Sequence, residues 1–401
     1  MKMSKDITYN SEKLHTMSIS DICVFNSKSK MPASAGKKRG LYRFFKSDNG
    51  KEEYYSDKYI TDNNSIIVND GGVFNVKYYE GKAGYSDHCI GFHTKEACFE
   101  KYLYYLLLSK TSFINQNGFV GGTLKNLDRE WFNGFQIEIP LDINIQKQIS
   151  SFLSNVDSLI TEEKNELDKS KKYKQSMLYK LFPKKGSNVP EIRFNGFESN
   201  WSDNVFGSLF TKLNNNTFSR SLLNYNNGST KNIHYGDVLI NYGFTIDITK
   251  KIVPFINFDV ELNNFKKEYY LKTGDIIFAD TAEDTTAGKM VEILNDSNKA
   301  VLAGLHTYPC RPLVNFAKGF LGVLMNSNHF HDQLLPYMQG SKVTSFNYEY
   351  LKRTIVKYPS KKEQNKIVSF FSNLDELIRN QEKEIQTLEY LRNTLLSKMF
   401  A

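Results

Sequence analysis

A chain of 401 residues with 40% hydrophobic and 14% aromatic content has the composition of a folded protein with room for about two or three domains, and excludes a disordered one. Its 52 Lys and Arg against 44 Asp and Glu leave a net charge of +8, which favours a polyanionic partner without separating nucleic acid from an acidic membrane surface. No apolar run approaches the roughly 18 residues of a membrane helix, and the opening MKMSKDITYNSEKLH lacks a signal peptide's apolar core. A cytoplasmic protein with no membrane partner is expected, its four cysteines (Cys23, Cys89, Cys98, Cys310) reduced.

From about Leu14 to Ile139 the chain carries short aromatic and β-branched runs punctuated by Gly, Asn and Asp. SIIVNDGGVFNVKYY (Ser65–Tyr79) and WFNGFQIEIP (Trp131–Pro140) read as strands and turns. A helix is predicted at Phe99–Leu108. Pro140 breaks the chain, a long helix follows, and Phe182-Pro183 with the Gly- and Pro-containing KKGSNVPEIRF stops it. Ser187–Tyr358 repeats the style. Strands are predicted at GDVLINY (Gly236–Tyr242), GDIIFAD (Gly274–Asp280) and KRTIVKYP (Lys352–Pro359), with a helix at Phe316–Met325. Each half ends with a Gly-containing loop (Gly118–Thr123; Gly340–Thr344) and a strand closed by proline.

The long helix occurs twice. Gln146–Phe182 and Gln364–Phe400 align without a gap at an offset of 218, with thirteen identities in thirty-seven positions. A repeat this far apart implies two tandem halves, each a domain followed by a helix of roughly 55 Å. Ile149, Leu153, Val156, Ile160, Leu167, Met177 and Leu181 follow alternating three- and four-residue steps. Ile367, Phe371, Leu374, Ile378, Ile385, Leu388, Leu395 and Met399 keep the same phase. Such a seam predicts that the two copies pack on each other as a coiled coil; the alternative is two helices each packed on its own domain. Polar residues interrupt the seam at matching places, Glu163 with Gln381 and Lys174 with Arg392. In an antiparallel pair one register sets Glu163 opposite Arg392 and Lys174 opposite Gln381.

Catalytic signatures are missing from the sequence. There is no Asn/Asp-Pro-Pro-aromatic methyltransferase motif and no GxxxxGK[ST] phosphate loop; Gly118–Gly122 reads as a turn, and Glu162-Glu163-Lys164 lies in a helix. His88, Cys89, His93 and Cys98 lack structural zinc spacing and read as core thiols and surface histidines. His329 and His331 have no third ligand in view, and His306 reads as a turn residue before a polar-site one. Basic residues mixed with aromatics are commoner. Lys37, Lys38, Arg39 and Arg43 form a cationic loop between glycines, and Lys77 and Tyr78 sit among polar residues. Arg220, Asn224, Tyr225, Lys231 and His234 cluster before GDVLI, with Lys250, Lys251, Lys289, Lys342, Thr344 and Ser345 as further candidates. As a set these suit phosphates and base edges.

PEIRFNGFESNW (Pro190–Trp201) resembles the segment that opens a target-recognition domain in the specificity subunit of type I restriction–modification systems. Pro140, Gln146, Ile149, Phe152, Asp157 and Ile160, and again Pro359, Gln364, Ile367, Phe370, Asp375 and Ile378, resemble that family's long helix. Lys180–Phe182, Lys398–Phe400, NIHYGDVLINYG and AGLHTYPCRP also fit. The first half departs from the pattern: it has no counterpart to PEIRF…W and begins near LHTMSISDI (Leu14–Ile22), which leaves the packing at its start open.

The resemblance implies an α+β chain of two α/β target-recognition domains separated by two long helices forming an antiparallel coiled coil. Domain 1 would span 1–139, the central helix 140–185, domain 2 186–358 and the second helix 359–401. Each domain would read one half of a split sequence in double-stranded DNA, and the helices would set the unread gap. Two methyltransferase subunits and restriction/translocase subunits are the implied partners. S-adenosylmethionine, ATP and Mg would be used by those partners, with no cofactor bound by this chain and no catalysis of its own. A self-contained methyltransferase or nuclease, or a coiled-coil interaction protein, are the alternatives.

Overall fold

The computed structural model describes residues 14–48, 52–123, 125–250, 252–262, 265–340 and 343–400. Contacts divide the chain into two compact units. One comprises Met1–Asn165 with Glu382–Ala401, the other Glu166–Gln381. The two long helices, Ile143–Lys180 and Lys361–Met399, each contribute one part to each unit.

In the first unit a four-stranded antiparallel sheet runs in the order Cys23–Phe25, Cys89–Thr94, Ser65–Asn69, Val76–Tyr79. SIIVNDGGVFNVKYY forms the predicted strands and turn, paired as a hairpin with Gly72 at φ 80° in its turn, a conformation that suits glycine. The helix predicted at Phe99–Leu108 spans Glu100–Ser109 and buries Leu103, Leu106 and Leu107. WFNGFQIEIP divides differently from the prediction. Its first residues are helical (Arg129–Gly134) because Asp128 caps the backbone N–H groups of Glu130 and Trp131, and only Gln136–Ile139 is a strand. That strand pairs with His15–Ser18, so LHTMSISDI opens the first domain as an edge strand followed by a capped turn of helix.

The second unit repeats this order. Phe210–Lys212, Thr307–Pro312, Ile276–Ala279 and Met290–Asn295 lie side by side, with Thr245–Asp247 added in parallel at the edge. Thr307–Pro312 stands at the same 218 offset from Cys89–Thr94 as the long helices from one another. Two predicted elements differ. GDVLINY lies in a helix, Tyr235–Ile240: His234 caps it through Nδ1, which accepts from the Gly236 N–H at 3.2 Å. Asp237 in its first turn is drawn out of strand geometry by a two-pronged ion pair with Arg220 at 2.8 and 3.0 Å. The helix predicted at Phe316–Met325 starts only at Phe320, after Gly319 at φ 87°. The buried Glu292 carboxylate accepts the N–H groups of Gly319 and Gly322 at 2.7 and 2.8 Å and fixes that start. GDIIFAD and KRTIVKYP do contain strands, Ile276–Ala279 and Ile355–Tyr358.

Both packing alternatives for the long helices are realised together. In the first unit Ile149 and Leu153 share a core with Leu103 and Phe132 of the domain, with Leu396 of the second helix and with Phe400 just beyond its end. Val156, Ile160 and Ile385 are also buried, while Leu167 and Leu388 are half-buried. In the second unit Met177, Leu181, Ile367 and Phe371 share a core with Phe278 and Phe320, and Leu374 and Ile378 are buried. The pairing is antiparallel. Asp157 bonds Arg392 at 3.2 Å and Lys164 bonds Glu389 at 2.6 Å, so advancing along one helix retreats along the other.

The polar register differs from the expected one. Arg392 meets Asp157, not Glu163, and in the second unit Lys174 meets Asp375 at 2.5 Å, not Gln381. Asp157 and Asp375 are counterparts at the 218 offset, as are Lys174 and Arg392, so one ion pair occurs twice. The register is decided where each helix leaves its domain, by a buried glutamine. Gln146 accepts the Phe99 N–H at 2.7 Å and donates to the carbonyls of Ala97 and Pro140 at 3.1 and 2.7 Å. Gln364 accepts the Ala317 N–H at 2.7 Å and donates to Pro359 at 2.9 Å.

Gln146→Leu and Gln364→Leu should each lower stability by about 1–3 kcal/mol, because a buried backbone amide loses its acceptor. Gln381→Leu, which removes a seam oxygen that has no partner, should be neutral or stabilising; denaturant midpoints measure all three. A double-mutant cycle should give Asp157 and Arg392 a coupling of roughly 0.5–1 kcal/mol, as for a half-exposed pair, and Glu163 with Arg392 none.

Candidate nucleic-acid interface

The first unit sorts its predicted basic residues into two groups. Lys37 is tied by its backbone to Tyr55 and reaches Asp57 at 3.4 Å with its ammonium largely exposed; Lys38 and Arg39 follow it, also exposed. Arg43 is mostly buried, lying near the rings of Phe45 and Tyr55 and pairing with Glu53 at 3.4 Å. Lys77 points inward to the Lys46 carbonyl at 2.5 Å and to Asp48 at 3.3 Å. Tyr78 packs on Tyr104 and donates to Glu80 at 3.2 Å, and burial, then Glu80, drives its phenol pKa well up.

In the second unit several predicted residues form a continuous chain of contacts. Arg220 holds Asp237 and donates to the exposed Tyr225 hydroxyl at 3.3 Å. The His234 ring lies 4.6 Å from Tyr235, whose ring meets His306 edge-on at 5.4 Å. Burial lowers the His234 pKa, helped by Arg220, which favours a neutral ring able to accept at the helix cap. Burial likewise lowers the pKa of Lys231, whose ammonium donates to the Ile248 carbonyl at 3.0 Å. Lys289 behaves the same way, donating to Leu239 at 2.5 Å. Asn224 spends its amide on Asn257. Thr344 and Ser345 form a short strand against Thr281–Ala282, while Lys251 and Lys342 lie outside the described residues.

Sequence reasoning passed over Asp70, Arg129 and Asp280 at these surfaces and read His306 as a turn residue before a polar-site one. Asp280 accepts from Thr281 at 2.7 Å and faces His306 Nδ1 at 3.2 Å. His306 is the one non-glycine among the described residues with positive φ, 54°. In the first unit Asp70 holds Arg129 at 2.9 Å. Strong turn signals hid them: AGLHTYP and NDGG read as loops, and pairing between distant loops leaves no trace in local spacing. Among the described residues no group of three or more His, Cys, Asp or Glu is placed to hold a metal ion. Cys89 and Cys98 are buried, and burial raises both thiol pKa values.

Comparison with known proteins matches this architecture. The family described as "Type I restriction modification DNA specificity domain" fits the chain twice, over residues 11–169 and 198–390. The type I restriction enzyme MjaVIII specificity subunit of Methanocaldococcus jannaschii is 24% identical over 380 residues, covering 87% of this chain and 85% of its own. The crystal structure of a type I restriction-modification S subunit from M. genitalium superposes with a TM-score of 0.58 at 16% identity, over 98% of both chains. A chain from a structural study of assembly and conformational transition in the type I system gives 0.58 at 15% identity, over 96% of this chain and 97% of its own. These two structures share the fold. With the family pattern present in both halves and covering most of its length, the chain belongs to the type I restriction-modification DNA specificity family.

Proposed function

We propose that this chain is the sequence-reading subunit of a type I restriction–modification complex, recognising a split site in double-stranded DNA and directing adenine methylation or restriction by partner subunits. The double family match carries the reading: two recognition modules in one chain call for two half-sites. The recognition domains are assigned to 1–139 and 186–358 and the helices to 140–185 and 359–401. Lys37, Lys38 and Arg39 in the first domain, and Arg220 with Tyr225 in the second, offer exposed donors suited to phosphates and base edges. The ammonium groups of Lys77, Lys231 and Lys289, each donating to a backbone carbonyl, suit them instead to hold the loops that present those donors.

The family works with DNA and with other restriction–modification subunits. For this chain we infer two methyltransferase subunits, one for each half, joined by restriction/translocase subunits. S-adenosylmethionine, ATP and Mg would be bound by those partners, and this chain would be non-catalytic and cytoplasmic. No helix among the described residues is long and apolar enough to cross a membrane. The long helices are proposed to set the gap between half-sites, since spacing in two-module DNA readers is a geometric quantity.

Sequencing the methylome of a host carrying the chain with its cognate methyltransferase should reveal one split motif, methylated on both strands. A host without such a motif contradicts the reading. The purified chain alone should neither methylate nor cut DNA. The complex should discriminate its split duplex from scrambled competitors at raised salt, where charge-driven binding fades.

A further inference from the structure

The two domains present one surface device with two different tips. In the first, Asp70 follows the strand Ser65–Asn69; in the second, Asp280 follows the strand Ile276–Ala279. Each occupies the same backbone frame. The Asp70 N–H donates to the carbonyl of His88 and the Asp280 N–H to that of His306, at 2.9 and 3.1 Å, and those two histidines stand at the 218 offset. Onward, the Asp70 carbonyl accepts from Leu127 at 2.8 Å and the Asp280 carbonyl from Phe346 at 3.2 Å. Each aspartate is mostly covered and holds a half-exposed nitrogen side chain: Asp70 is 19% exposed and Arg129 47%, Asp280 15% and His306 48%.

The anchor is thus repeated and the group it holds is not. Had the held group contacted something common to both half-sites, divergence would serve nothing, whereas different bases call for different tips. Arg129 comes from the helix that Asp128 caps, and only Nη2 of its guanidinium is engaged by Asp70, so donors remain for an acceptor pair such as guanine O6 and N7. His306 offers Nδ1 to Asp280 and Thr281, which leaves Nε2 on the far side of the ring. A neutral ring with its proton on Nδ1 accepts there, as suits the amino group of adenine or cytosine. Its positive φ is the second observation. A left-handed backbone costs a histidine free energy that glycine would not incur, and such strain gathers at ligand-contacting positions.

We propose that Asp70 and Asp280 are matched positioning residues, and that the side chains they hold, Arg129 and His306, each read one base in the half-site of their own domain. This rests on the DNA-reading function proposed above. The test uses the full chain with its cognate methyltransferase, wild type beside Arg129→Met, Asp70→Asn, His306→Gly and Asp280→Asn, reading the methylated motif and competition between duplexes differing at single base pairs. Arg129→Met and Asp70→Asn should relax one base pair in one half-site, and His306→Gly and Asp280→Asn one in the other. Discrimination at that pair should fall roughly five- to 150-fold, with the remaining positions unchanged. His306→Gly should melt no lower than wild type, which separates reading from folding. An unaltered motif in all four variants overturns the inference. So does a uniform loss of affinity with a salt slope reduced by about one, the mark of a phosphate contact. A wild-type chain that yields no split motif overturns the function beneath it as well, whereas a wild-type motif that the variants leave intact overturns this inference alone.

Discussion

Each long helix is fastened to the domain before it by one buried side-chain amide, and the rest of the architecture depends on that joint. Gln146 and Gln364 both accept a backbone N–H at 2.7 Å from the segment leading to a domain helix, at Phe99 and at Ala317, positions that are themselves 218 residues apart. Both also donate to the carbonyl of the proline that ends the preceding strand. An amide satisfied on both its atoms fixes rotation as well as position, because turning the helix would bury an unpaired donor or acceptor. With the start of each helix set in this way, the apolar stripe faces a defined direction. Asp157 then falls beside Arg392, and Asp375 beside Lys174.

The helices were the most legible part of the sequence, since a period near 3.5 sustained over about five heptads has few readings. Their polar register was not legible. Glu163 and Arg392 occupy seam positions, but the register follows from the glutamine joints, which involve residues some forty-seven positions away along the chain. Strands bounded by Gly and Asp were legible where packing on both faces demanded apolar residues, as in GDIIFAD. The similar phrase GDVLINY went the other way, because the His234 cap and the Arg220–Asp237 ion pair override a β-branched run.

Which of the candidate basic residues stay exposed was only partly legible. Clusters of Lys, Arg and Tyr pointed to candidate loops, yet a lysine's exposure is decided by whether a carbonyl or carboxylate waits within reach. Lys37 remains exposed, whereas Lys77 ends on Lys46 and Asp48. Arg129 escaped notice, and His306 read first as a turn residue, because their partners come from other loops. The duplication exposes them. A frame kept while its contents change marks the place where two otherwise similar domains do different work.

On the proposed reading the helices separate two readers, and their length governs the gap between the bases read. The direct measurement inserts one heptad in phase between Asn165 and Glu166 and another between Gln381 and Glu382, the points in each helix at which the chain passes from one unit to the other. The methylated motif is then sequenced. Seven residues at ~1.5 Å each lengthen the pair by about 10 Å, close to three base-pair steps, so both half-sites should persist with a gap roughly three base pairs longer. Unchanged half-sites at an unchanged gap would contradict the account.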